Sequence, residues 1–116
     1  MTPVRVLAAG FMWRLFGTRR SAETLFNAMS GESEQNRMLA GISLVKGGQR
    51  SFEFIEQKLE AGEATPPVMR LLPDIDASAA RDVLNRVVDS HGELAETARK
   101  CIETLDRIEA FHDSQE

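Results

Sequence analysis

The sequence predicts an all-α chain: a short right-handed α-solenoid of three helical hairpins, preceded by a capping or amphipathic N-terminal helix. Three observations carry that expectation. One apolar pattern is written three times, as Met38, Ile42 and Val45, as Val68, Leu72 and Ile75, and as Cys101, Leu105 and Ile108. Its offsets are 30 and 33 residues, and its internal spacing of four then three follows one face of a helix. The helices in between align as well, with Leu25 and Met29 matching Ile55 and Leu59 and then Leu84 and Val88. Finally, glycine and proline punctuate the gaps, at Gly31, Gly47-Gly48, Gly62, Pro66-Pro67 and Gly92. The repeating unit is a hairpin, spanning residues 21–47, 48–77 and 78–111. Such units bury a continuous core only by stacking.

Residues 1–20 form a basic, hydrophobic N-terminal segment with Arg5, Arg14, Arg19 and Arg20 and no acid. Its longest uncharged run, Val6 to Trp13, is eight residues, against the roughly 20 needed to cross a bilayer. Arg14 interrupts any secretory apolar core, and Ser21 is the only serine of the first 22 residues, which argues against a transit peptide. Two roles compete for the segment. In one, Val4, Leu7, Phe11 and Leu15 close the end of the stack. In the other, Trp13 and Phe16 enter a lipid boundary with arginines at the headgroups. Phe11, Trp13, Leu15 and Phe16 are therefore the candidate cap or membrane contacts.

Ser21 is the expected cap of the first repeat helix, with Glu23 near the positive end of its dipole. Glu34 to Lys46 is the next helix, stopped by Gly47-Gly48. Phe52, Ile55 and Leu59 define a third helix, closed by Gly62. Pro66-Pro67 open a fourth, since first-turn amides have no intrahelical partner to lose. Pro73 ends or kinks that helix near Leu72, because it has no N–H to give Met69. Ser78 or Asp76 caps the fifth, which ends at His91-Gly92. The last and longest helix runs from about Glu93 to Phe111, with 112–116 left as a polar tail.

The recurring endings Ile42-Ser43-Leu44-Val45, Leu72-Pro73-Asp74-Ile75 and Leu105-Asp106-Arg107-Ile108 resemble the short HEAT-like repeat of the phycobilin-lyase type. The resemblance covers residues 21–111. Pro73 inside the motif departs from that family's usual alanine-rich second helix. The resemblance implies an α-solenoid, and it implies a scaffold that binds another protein, the role of most family members. A minority attach bilins to antenna proteins, and no residue here matches a lyase-specific site.

Composition narrows the function. At 42% apolar and 28% charged residues, 116 residues can form one globular domain with a core of its own. A single cysteine, Cys101, excludes an internal disulfide and suits a reducing, cytoplasmic setting. Residues 21–116 hold 10 basic and 18 acidic side chains, a net of −8, which disfavours nucleic acid as a partner. No cofactor, metal or catalytic constellation is expected. His91 and His112 sit at helix ends, Cys101 occupies a core position, and Lys46-Gly47-Gly48 lacks the order of a phosphate loop. The second helices of a solenoid line its concave side. The expected partner-binding residues are accordingly Arg37, Leu44, Arg70, Asp74, Glu103 and Arg107. Peripheral membrane contact through residues 1–17 is the alternative.

Overall fold

In the computed structural model, which describes residues 1–115, Thr2 opens the first helix. Its side chain accepts from the Arg5 amide, and Pro3 takes the first-turn position where no N–H is needed. This helix, α1 (Pro3–Phe16), ends at Gly17, whose positive φ of 62° places it in the left-handed region that stops helices. Next, α2 (Arg19–Met29) is capped at Thr18 rather than Ser21. Ser21 is buried one turn inside, its hydroxyl 2.7 Å from that of Thr18. The chain continues through α3 (Glu34–Lys46), where Ser33 accepts from the Asn36 amide, and α4 (Gln49–Glu60). Two single turns follow, α5 (Pro66–Met69) and α6 (Leu72–Ile75). Pro73 therefore breaks the helix one turn earlier than its own position, at Arg70-Leu71, where the Met69 carbonyl would otherwise meet its ring. Asp76 caps α7 (Ala77–Asp89) by accepting from the Ala79 amide, and α8 (Ala95–Gln115) extends through most of the expected polar tail. All regular structure among the described residues is helical.

Helix α2 packs on α3 and α7 on α8, while α6 packs chiefly on α7 and less extensively on α4 and α3. A smaller contact joins α2 to α5, and α1 lies across α2 and α3. Leu25, Leu44, Ile55, Leu72 and Leu84 are fully buried along this line of contacts. Each such side chain stabilises the fold by about 1.5–3 kcal/mol.

The aligned positions do not share one inward register. Val68, Leu72, Cys101 and Leu105 are buried as expected, but Met38 is 61% exposed, Ile42 48% exposed, and Ile108 also faces out. In α3 the inward residues are Asn36, Ala40, Gly41 and Leu44, a rotation of two residues from the expected face. The cause is α1. A Cβ added to Gly10 would lie 2.9 Å from the Ser43 Cβ, so α1 and α3 touch at nearly bare backbone. Asn36 donates to the Met1 carbonyl at 2.9 Å on the same side. Small residues, not the larger Met38 and Ile42, permit that approach.

A buried lysine joins α2 to α4. Lys58 Nζ lies 2.7 Å from Glu23 and 3.0 Å from Glu63, with the Phe26 ring centroid 4.7 Å away. Hydrogen bonding to Glu23 raises the Lys58 pKa above its ordinary 10.5; burial opposes this and Glu63 supports it. Two carboxylates and an aromatic face offset the cost of burying the ammonium.

Candidate functional site

Helix α1 is apolar on two opposite faces, and packing uses only one of them. Val6, Ala9, Gly10 and Trp13 face the body. Trp13 is 5% exposed, its indole N–H donating to Ser51 Oγ at 2.8 Å and its ring tilted against Phe54 with centroids 6.0 Å apart. The opposite face carries Val4, Leu7, Phe11 and Leu15, each more than half exposed, and Phe16 beside them is 64% exposed. This overturns both expectations for the segment in part. Contact with the body is made by Val6 and Trp13 rather than by Val4, Leu7, Phe11 and Leu15. Trp13 belongs to the core and cannot be a lipid contact, whereas Phe11, Leu15 and Phe16 point into solvent.

The stripe from Val4 to Leu15 is about 17 Å long at helical rise, and 3.6 residues per turn put Arg5 on one side of it and Arg14 on the other. Arg20 and Arg50 are also exposed near its C-terminal end. The Arg50 guanidinium reaches Gly17 so closely that a side chain there would collide with it. Among the described residues, no carboxylate pairs with Arg5, Arg14, Arg20 or Arg50. The first acid in the chain is Glu23, which is engaged by Lys58. An exposed apolar strip of this size, bordered by unpaired charge of one sign, leaves α1 with a large apolar face that the body does not cover. No helix among the described residues is long and apolar enough to cross a membrane.

The partner-binding row expected on the second helices loses one member to the core. Leu44 is fully buried in the core, a consequence of the rotated α3, and Ala40 beside it is buried too. Arg37 is half-buried and donates to the Gly31 carbonyl at 2.7 Å. Arg70 and Asp74 are exposed on the broken α5–α6 segment. Glu103 and Arg107 are exposed one turn apart on α8, 4.0 Å from one another. Arg70 is near Cys101, where its charge opposes the rise in thiol pKa caused by burial. A thiol so held is protonated and shielded, which is the opposite of a nucleophile's environment.

A second concave surface was not legible in the sequence. An open groove of about 810 Å³ runs between the C-terminal half of α4, the loop before α5, α7 and the turn before α8. Leu59, Val83, Val87 and Leu94 line its apolar floor. On its rim Glu56 is paired with Arg86 at 3.3 Å. Glu60 and Glu93 are exposed there, with no ion-pair partner among the described residues. Comparison of the chain with protein-family models, with curated proteins and with solved structures finds no match.

Proposed function

We propose that the protein is a non-enzymatic helical module that docks on an anionic lipid surface, on the cytoplasmic side of a membrane, through the outer face of α1. The observation that carries this reading is the exposed Val4–Leu7–Phe11–Leu15 stripe on a helix without acids, bordered by unpaired arginines. An interfacial helix needs an apolar face for the acyl boundary and cations for the headgroups. Here its third requirement, a fixed orientation, is supplied by Trp13 and Val6, which hold the opposite face to the body. The four stripe side chains gain about 1 kcal/mol each on burial. The four unpaired arginines add about 1 kcal/mol each near an anionic leaflet. A gross gain of about 8 kcal/mol corresponds to micromolar binding before the cost of association.

Behind α1, the body is best read as a short stack of three HEAT-like hairpins. The pairing of α2 with α3 and of α7 with α8 supports this, as does the burial or half-burial of Leu25, Met29, Ile55, Leu59, Leu84 and Val88. A protein partner held along the second helices is less well supported, because α3 turns Ala40 and Leu44 into the core.

The test is co-sedimentation with phosphatidylcholine vesicles with and without phosphatidylserine. Wild-type protein is expected on the anionic vesicles, and Leu7→Asp/Phe11→Asp is expected to lose at least about tenfold in binding, the equivalent of 1.4 kcal/mol. Equal binding of the two proteins would remove lipid from consideration. Point variants are preferred to truncation, because deleting α1 also removes Trp13 from the core.

A further inference from the structure

The groove and the α1 stripe are complementary in both shape class and charge. One is concave, apolar in its floor, with Glu60 and Glu93 unpaired on its rim; the other is convex, apolar along its crest, with Arg5 and Arg14 unpaired on its borders. We propose that the groove between α4 and α7 receives the α1 stripe of a second copy of this chain. The two surfaces cannot meet within one molecule. The stripe points away from the body on the face opposite Trp13, and α1 rests on α2 and α3 while the groove is built by α4 and α7.

The contact is heterologous: each copy offers a stripe at one end and a groove at the other, so association continues copy to copy unless it closes into a ring. The charge distribution favours it, since residues 1–20 carry four arginines and no acid while the remainder carries a net of −8. A 14-residue helix lays down a footprint of about 21 Å by about 10 Å. That is small against the roughly 800 Å² per partner of a stable complex. The association is therefore weak and reversible, and in solution it covers the apolar side chains that lipid would otherwise cover. It shares the α1 stripe with the lipid reading and adds the groove, so loss of the groove alone removes it and leaves lipid binding intact.

Sedimentation velocity on the full chain over a concentration series tests it. The expected result for wild type is a mean mass that climbs above the 12.9 kDa monomer with concentration. E60R/E93R, with altered groove charge, and L7D/F11D, with an altered stripe, are each expected to stay monomeric. All four positions are exposed, so unchanged thermal melts by circular dichroism confirm that the variants are folded. An equimolar mixture of the two variants pairs the intact stripe of one with the intact groove of the other, and is expected to stop at twice the monomer mass. Wild type that is monomeric up to millimolar concentration overturns the proposal, as does self-association that survives E60R/E93R, or a mixture that fails to pair. Vesicle binding of wild type against L7D/F11D, at protein concentrations where both are monomeric, reads the lipid role separately.

Discussion

Replacing Trp13 and Phe11 one at a time with alanine interrogates the inversion of α1 directly. The two aromatics lie two residues apart on one helix, yet Trp13 is 5% exposed and Phe11 64%. An aromatic side chain buries about 150–250 Å² when enclosed, which at about 25 cal/mol per Å² is worth about 4–6 kcal/mol. Trp13→Ala is therefore expected to cost about 3–5 kcal/mol, in line with large-to-small changes in well-packed cores. For a domain whose total stability is about 5–15 kcal/mol this is severe. Phe11 gives up only about a third of the same area, and alanine returns part of that through helix propensity, so Phe11→Ala is expected to cost less than about 1 kcal/mol. Urea unfolding followed by circular dichroism measures both, since removal of Trp13 also removes the only tryptophan fluorophore. The hydrogen bond is isolated by Trp13→Phe, which leaves the fully buried Ser51 hydroxyl without its indole donor and is expected to cost about 1–3 kcal/mol. Ser51→Ala in that background is expected to recover part of the loss. Equal costs for Trp13→Ala and Phe11→Ala would refute the assignment of faces, and with it the exposed stripe on which both docking proposals rest.

Two further outcomes follow from the packing. Gly10→Ala is expected to lower the melting temperature although alanine favours helix, because its Cβ must displace Ser43; the net cost is about 1 kcal/mol, and Ser43→Gly in the same chain is expected to relieve it. Lys58 governs behaviour in alkali. Its pKa is raised above 10.5, chiefly by Glu23, so its stabilising pairing is complete below that pH and is lost as pH climbs through the higher folded value. Urea titrations are expected to show stability falling above about pH 10.5, with a shallower fall in Lys58→Met; identical slopes would mean that the lysine is not held charged in the fold.

Much of the local architecture was legible without coordinates. Asp76, one of two expected caps, holds the start of α7 because its side-chain oxygen reaches a free amide, Gly47 ends α3, and Pro73 breaks what would have been one helix into α5 and α6. The aligned pairs from Leu25 and Met29 to Leu84 and Val88 sit on helices with a single apolar face, so periodicity was enough to orient them. Cys101 and Leu105 were oriented correctly for the same reason, opposite the charged face of α8.

Periodicity failed where a helix carries apolar residues on more than one side. In α1 the pattern Val4, Leu7, Phe11, Leu15 is as regular as Val6, Ala9, Gly10, Trp13, and in α3 Met38 and Ile42 are as apolar as Ala40 and Leu44. The choice came from how closely two helices can approach. Gly10 against Ser43 brings α1 and α3 together in a way that large side chains forbid. Trp13 then finds Ser51, a partner 38 residues distant that no helical repeat can indicate. Hydrophobicity says how much surface a helix can bury, and shape complementarity with a distant neighbour selects which surface that is.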